Sequence, residues 1–95
     1  MLFVVFCLDK PDAGPRRAAA MEAHKRYIDT DPVKILLSGP LTSDDGQKIV
    51  GSFFMVDAPD RTAVERFQHN DPLYQADIWE TIEVRAFAKR IDNRD

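Results

Sequence analysis

Apolar residues are concentrated in four short segments, and each segment has the composition of a β-strand. The first and third segments are apolar at both odd and even positions, which is typical of strands that are covered on both faces. A turn at residues 43–46 separates the second segment from the third, so we predict that these two strands form a hairpin. The predicted strands are residues 1–8, 33–37, 48–56 and 78–87.

Two segments between the predicted strands have the spacing of amphipathic helices. In the first, residues 16–28, apolar positions recur at i, i+1, i+4, i+7 and i+8, while charged residues occupy the other face. The second helix is expected to have Asp57 or Ala58 as its N-cap and Pro59 in its first turn, and to end near residue 69. The apolar face of the first helix contains Ala20, Met21, His24, Tyr27 and Ile28.

The predicted order of elements is β-α-β-β-α-β, which is the ferredoxin-like arrangement of an α+β fold. It places both helices on one face of a four-stranded antiparallel sheet. Because the first and third strands are apolar on both faces, the opposite face of the sheet should also be covered. A second copy of the chain, packed sheet against sheet around a two-fold axis, is the simplest cover. We therefore predict a homodimer of the dimeric α+β barrel type.

Length and composition predict one domain over residues 1–95, because a chain of 95 residues that is 44% hydrophobic fits a single core. The net charge is −3 and the charges are mixed, so nucleic acid is not an expected partner. Residues 1–8 are too short to cross a bilayer and lack a basic leader, so no membrane partner is expected. The single cysteine, Cys7, cannot form an intrachain disulfide and is compatible with a reducing, cytoplasmic environment.

His24 is the one histidine in the first half of the chain, and it lies on the apolar face of the first helix. An unpaired polar group in that position would cost roughly 1–3 kcal/mol, so the imidazole requires a hydrogen-bond partner. Two interpretations are open. His24 is either a core histidine bonded to a backbone carbonyl, or a general acid or base at the mouth of a pocket between the first helix and the sheet.

Asp71 is the candidate partner of His24. An Asp-Pro pair commonly begins a helical turn, so Asp71 is expected to be the N-cap of a short turn that starts at Pro72. Its carboxylate could also accept a hydrogen bond from the imidazole and fix the tautomer of the ring, as carboxylates do beside catalytic histidines. One carboxylate has enough lone pairs for both roles.

Four further residues could line the same pocket from two elements. Ser38, Gly39 and Pro40 follow the second predicted strand. In that position, these residue types more commonly mark the point where the chain leaves the sheet. As part of a site, they would bring backbone N–H groups and a hydroxyl to the edge of the cavity. Arg17 lies two helical turns before His24 on the same face, where it either meets an anionic substrate or is solvated.

Tyr27 and Tyr74 could each add a phenolic donor to the pocket. Such tyrosines more commonly lie at the edge of a core, with the ring buried and the hydroxyl towards solvent. Cys7 is expected to be a small buried hydrophobic residue. We expect no metal and no cofactor, because the histidines, acidic residues and cysteine match no ligand spacing and no glycine-rich phosphate loop or Rossmann fingerprint is present.

A series of short motifs resembles the YCII (YciI-like) family along nearly the whole chain. The resemblance implies a ferredoxin-like dimeric α+β barrel related to muconolactone-isomerase-like proteins, and a histidine–aspartate pair that maps onto His24 and Asp71. The motifs are, in order, Leu-Phe-Val-Val-Phe, Cys-Leu-Asp-Lys-Pro-Asp, an arginine-led helix with a histidine, Leu-Ser-Gly-Pro, Gly-Ser, Asp-Pro and Ile-Glu-Val-Arg-Ala-Phe.

The resemblance implies that catalysis is possible on this fold, but it does not identify a reaction. Most family members have no established reaction, but one branch includes a dehydrochlorinase that acts on a chlorinated hydroxyhydroquinone. This chain departs from the family pattern at Lys25, Ser38 and Leu73. Three hypotheses follow: a cofactor-independent lyase or isomerase that acts on a small cyclic or aromatic molecule, a module that binds a small molecule without chemistry, and a purely structural pair within a dimeric scaffold.

Overall fold

The computed structural model describes residues 1–94 and confirms the predicted α+β architecture. Four strands form one antiparallel sheet in the order β2-β3-β1-β4, and the connections follow the order β-α-β-β-α-β with one additional short helix. The elements are β1 (Leu2–Asp9), α1 (Gly14–Asp29), β2 (Lys34–Thr42), β3 (Ile49–Asp57), α2 (Arg61–His69), α3 (Pro72–Gln75) and β4 (Trp79–Phe87).

The core lies between the helices and one face of the sheet. Alternate residues of β1 are fully or almost fully buried, and their cross-strand neighbours on β3 are buried as well. Helix α1 packs on this core through the face that the sequence predicted, and α2 contributes Val64 and Phe67. The paired residues on the helix-facing side of the central strands are Phe3 with Val56, Val5 with Phe54, and Cys7 with Ser52.

The second strand is longer than predicted. Ser38, Gly39 and Pro40 do not leave the sheet but continue β2, which ends at Thr42. The prediction of an exit was wrong because β2 is an edge strand, where a proline that lacks a backbone N–H is tolerated. The predicted hairpin is confirmed, and its turn contains Gly46 at a φ of 75°.

The second helix begins later than predicted. Its N-cap is Asp60, whose carboxylate accepts a hydrogen bond from the backbone N–H of Ala63 at 2.9 Å. The prediction of Asp57 or Ala58 was wrong because Asp57 is the last residue of β3, where it accepts a hydrogen bond from the N-terminal amine at 2.8 Å. Among the helices of residues 1–94, none has the length and the apolar run that crossing a bilayer requires.

The other face of the sheet has no helix packed against it. It contains the alternate residues of β1 that point away from the core, together with their neighbours on β3 and β2. Phe6, Leu8 and Leu37 are 38%, 37% and 44% exposed, respectively. This surface, which we call the open sheet face, is apolar as the sequence predicted.

Candidate active site

His24 and Asp71 are brought together by two different elements. His24 lies in the middle of α1, and Asp71 immediately precedes α3. Nδ1 of the imidazole is 2.8 Å from Oδ1 of the carboxylate. The side chain of His24 is 16% exposed and that of Asp71 is 1% exposed. The hydrogen-bond partner that the histidine required is therefore Asp71 and not a backbone carbonyl.

One oxygen of Asp71 serves both roles considered for this residue. Oδ1 accepts a hydrogen bond from the backbone N–H of Leu73 at 2.9 Å, as an N-cap does, and it also contacts the imidazole. An ionised carboxylate only accepts hydrogen bonds, so beside an ionised Asp71 the proton of a neutral imidazole lies on Nδ1 of His24. Nε2 is then the unprotonated nitrogen, and no residue among 1–94 forms a hydrogen bond with it.

The imidazole lines a cavity of about 340 Å³ between α1 and strands β2 and β3. This cavity, which we call the histidine cavity, has apolar walls and several polar groups. The ring of Phe54 lies edge-on to the imidazole with a centroid distance of 6.3 Å. The structure brings five of the predicted site residues to this cavity, namely Arg17, His24, Ser38, Gly39 and Pro40.

Arg17 is buried and not solvated, which corrects one of the two interpretations of this residue. Its Nε and Nη2 atoms donate hydrogen bonds to the two carboxylate oxygens of Asp9 at 2.7 and 3.1 Å. The side chains of the two residues are 8% and 9% exposed, respectively. A guanidinium on this helix face is tolerated because the carboxylate compensates its charge and satisfies its donors.

Ser52 is a site residue that the sequence analysis did not select. Its Oγ accepts a hydrogen bond from Nη2 of Arg17 at 2.7 Å, and the same nitrogen donates to the carbonyl of Gly51 at 3.1 Å. Ser52 is buried and lines the histidine cavity. The available signal was a serine at an alternate position to Phe54 and Val56, which places a hydroxyl on the buried face of an otherwise apolar strand.

The two candidate tyrosines do not line the histidine cavity. The hydroxyl of Tyr27 donates a hydrogen bond to the carbonyl of Phe67 at 2.7 Å, and the two rings stack. Burial, and after it the charge of Asp71, raises the pKa of Tyr27. Tyr74 is 38% exposed and lies beside the ring of His69, with a centroid distance of 4.7 Å.

Cys7 is fully buried, as predicted. Burial, followed by the charges of Asp71 and Asp9, raises the pKa of this thiol to about 12, and Arg17 opposes the shift. A thiol with that pKa is protonated at neutral pH and is not a nucleophile. Within residues 1–94, no three histidine, cysteine or acidic side chains are grouped as metal ligands.

A model of the YCII-related domain matches residues 1–88. The chain belongs to the YCII-related family. One similar solved structure is 5-chloro-2-hydroxyhydroquinone dehydrochlorinase (TftG) from Burkholderia phenoliruptrix AC1100, in complex with 2,5-dihydroxybenzoquinone. It is 28% identical with a TM-score of 0.83, and the match covers 93% of this chain and 94% of that chain. No curated protein sequence matches.

Two more distant structures support the fold alone. Rv0793 from Mycobacterium tuberculosis is 13% identical with a TM-score of 0.52, and the match covers 98% of this chain and 97% of that chain. At3g17210 from Arabidopsis thaliana is 14% identical with a TM-score of 0.52, and 98% of each chain is covered. Their similarity extends over the whole βαββαβ unit.

Proposed function

We propose that this protein is an enzyme without a cofactor that uses His24 as a general acid and base, oriented by Asp71. The observation that carries the proposal is the 2.8 Å contact between Nδ1 and Oδ1 beside a cavity of about 340 Å³. A cavity of that size is in the range of small-molecule sites. The purely structural hypothesis gives no reason for the imidazole to line a cavity.

Proton transfer by this pair follows from the bonding of the ring. Asp71 accepts a hydrogen bond from Nδ1–H, so Nε2 is free to remove a proton from a bound molecule. The ring then becomes an imidazolium, which the carboxylate stabilises at 2.8 Å. The same Nε2–H can return the proton, so both elimination and isomerisation are within the reach of the pair.

The walls of the histidine cavity favour a small oxygenated ring as the substrate. Met21, Ile49 and Phe54 supply apolar surface, while Arg17 and Ser52 supply polar groups. A dehydrochlorinase of a chlorinated hydroxyhydroquinone shares this fold at 28% identity. We propose that this chain acts on the same class of ring. Loss of one proton and one chloride from such a ring leaves a hydroxyquinone, and no oxidant is required.

We also propose that a second copy of the chain covers the open sheet face. Phe6, Leu8 and Leu37 are 38%, 37% and 44% exposed there, and Phe53 pairs with Phe6 across β1 and β3. An apolar surface contributed by three neighbouring strands is typical of a protein interface. Because the same face is present on each copy, a two-fold axis closes the assembly as a homodimer.

The experiment is chloride release from 5-chloro-2-hydroxyhydroquinone under anaerobic conditions, which prevent oxidation by air. We expect wild-type protein to accelerate release, and the variants His24→Ala and Asp71→Asn to lose about 10²- to 10⁴-fold in kcat, the usual contribution of general acid–base catalysis. Thr62→Ala changes an exposed residue of α2 and is the control for effects of mutagenesis and purification on activity. Wild-type activity in His24→Ala would overturn the proposal, and tight binding without release would favour the non-catalytic binding module.

A further inference from the structure

One hydrogen bond joins helix α1 to helix α2. The hydroxyl of Tyr27 donates to the backbone carbonyl of Phe67 at 2.7 Å, and no other hydrogen bond connects the two helices within residues 1–94. The rings of the same two residues stack, with a centroid distance of 5.9 Å and an interplanar angle of 15°. We call this contact, which is both polar and aromatic, the helix clamp.

The helix clamp lies one turn away from each member of the catalytic pair. Tyr27 follows His24 by three residues in α1, and Phe67 precedes Asp71 by four residues. Residues three apart in a helix are neighbours on its surface, so Tyr27 and His24 project from the same side of α1. The clamp and the catalytic pair therefore join the same two parts of the chain, namely α1 and the end of α2.

The carbonyl of Phe67 is one of the free acceptors at the C-terminus of α2. In a continued helix it would accept the N–H of Asp71, but that N–H donates to the carbonyl of Gln68 at 3.1 Å. The hydroxyl of Tyr27 satisfies the carbonyl instead. The bond is thus made at the point where the chain turns from α2 towards Asp71, so the course of this turn depends on the position of α1.

A row of aromatic rings continues the helix clamp to the imidazole. The ring of Phe67 is edge-on to that of Phe54, with a centroid distance of 5.4 Å and an angle of 85°. Phe54 is in turn edge-on to the ring of His24 at 6.3 Å. Edge-to-face contacts between rings are directional. The orientation of the imidazole is therefore supported from β3 as well as from Asp71.

Tyr27 acts on the reaction only through these contacts. It does not line the histidine cavity, and its hydroxyl proton is donated to Phe67. Burial, and after it the charge of Asp71, raises the pKa of Tyr27, so the hydroxyl remains a hydrogen-bond donor at neutral pH. Contact with a ligand in the histidine cavity is not available to Tyr27, and position is what it can supply.

We propose that Tyr27 is a positioning residue, and that the helix clamp holds α1 at the distance from the end of α2 that lets Nδ1 of His24 reach Oδ1 of Asp71. This inference rests on the proposed function, and it identifies what sets the geometry of the general base. A displacement of about 1 Å in a catalytic group can cost about 10²-fold in rate. Loss of the clamp should therefore appear in kcat and not in the affinity for the ligand.

The first test compares rate and affinity in Tyr27→Phe, which removes the hydroxyl and keeps the stacked ring. We expect kcat for chloride release from 5-chloro-2-hydroxyhydroquinone to fall about 10- to 100-fold. The Kd for 2,5-dihydroxybenzoquinone, measured by isothermal titration calorimetry, should stay at the wild-type value. Tyr74→Phe removes the hydroxyl of a tyrosine that is 38% exposed and should change neither quantity.

A second control separates positioning from a general loss of helix stability. The hydroxyl of Thr30 donates to the backbone carbonyl of Tyr27 at 2.6 Å, at the end of α1. Thr30→Val removes this bond and leaves the side chain of Tyr27 in place. It weakens a helix end as Tyr27→Phe does, but it should keep the wild-type kcat.

The second test needs no substrate. Proton NMR measures how fast Nδ1–H of His24 exchanges with water, which reports how often the bond to Asp71 opens. We expect Tyr27→Phe to speed this exchange about 5- to 10-fold, the factor that corresponds to one hydrogen bond, and Thr30→Val to leave it unchanged. In protein that carries Asp71→Asn, adding Tyr27→Phe should lower kcat no further, because the clamp acts through the pair.

The outcomes separate this inference from the proposed function. Wild-type kcat in Tyr27→Phe, an equal loss in Thr30→Val or an unchanged exchange rate would overturn the positioning role and leave the His24 proposal intact. A weaker Kd with unchanged kcat would overturn it as well, because Tyr27 would then act on binding. Chloride release that is independent of His24 would overturn the proposed function, and the exchange rate would then decide whether the helix clamp sets the geometry of the pair.

Discussion

His24 and Asp71 are separated by 47 positions in the chain, and a hydrogen bond joins their side chains. The carboxylate oxygen of Asp71 that bonds the imidazole also caps the N-terminus of α3. Oδ1 of Asp71 accepts both the imidazole N–H and the backbone N–H of Leu73. The orientation of the imidazole is therefore tied to the position of a helical turn. The residue that caps α3 therefore also fixes the orientation of the candidate catalytic histidine.

Removal of the shared carboxylate should cost more stability than removal of an ordinary cap. We expect Asp71→Ala to lower the free energy of unfolding by about 2–3 kcal/mol, because it removes a helix cap and leaves the imidazole without its buried partner. Asp60→Ala removes a cap that has no histidine and should cost about 1 kcal/mol. Urea denaturation measures both. Equal losses would show that the bond to His24 adds nothing to stability.

Gly51 should tolerate no side chain. A Cβ at this position would lie 2.0 Å from the carbonyl oxygen of Cys7, which is backbone and cannot move aside. We expect Gly51→Ala to destabilise the fold by at least about 1–3 kcal/mol, the usual cost of overpacking. Gly39→Ala is the matched control in the neighbouring strand, because nothing lies within 4 Å of its Cβ position. Thermal unfolding of the two variants should differ clearly, and similar midpoints would contradict the close approach.

Cys7 should make the protein sensitive to alkaline pH. Its pKa is raised from the ordinary 9.0 to about 12, so between these values the unfolded chain loses a proton that the folded chain keeps. This contribution to stability is complete below pH 9 and decreases as the pH rises towards 12. At pH 8, the folded thiol has a thiolate fraction about 1000-fold below that of the unfolded thiol, so iodoacetamide should react slowly. Alkylation as fast as in the urea-unfolded chain would contradict this burial.

A charge on the open sheet face should dissociate the proposed homodimer. We expect analytical ultracentrifugation to give a dimer for the wild type and a monomer for Phe6→Asp, because a buried unpaired carboxylate is costly. Tyr74→Asp is the matched control, since Tyr74 is also 38% exposed but lies in α3 on the helix-covered side of the sheet. A wild-type monomer at micromolar concentration would contradict the proposed assembly.

The sequence predicted the architecture because the hydrophobic pattern is local and regular. It failed at Ser38, Gly39 and Pro40, where residues typical of turns continue an edge strand. It also failed at the start of α2, because either Asp57 or Asp60 could cap a helix and only the length of β3 decides between them. Both errors concern boundaries, which depend on neighbours in space.

The sequence predicted only the part of the candidate site in which one residue requires a hydrogen-bond partner. A histidine on an apolar helix face requires a partner, and an Asp-Pro turn offers one, so the contact between His24 and Asp71 was accessible to sequence reasoning. The network of Arg17, Asp9 and Ser52 was not, because a charged residue on a helix is usually solvated. Its burial depends on the register of β3, which brings Ser52 beneath the helix.

The most direct test of the role of His24 is the position of its ring proton, measured by ¹⁵N NMR of imidazole-labelled protein at a pH where the ring is neutral. The protein contains two histidines, so His69→Gln assigns the signals. We expect Nδ1 of His24 to carry the proton and Nε2 to be unprotonated, and Asp71→Asn to disturb this preference. This measurement does not depend on the identity of the substrate. A proton on Nε2 in the wild type would contradict a base that acts from that nitrogen.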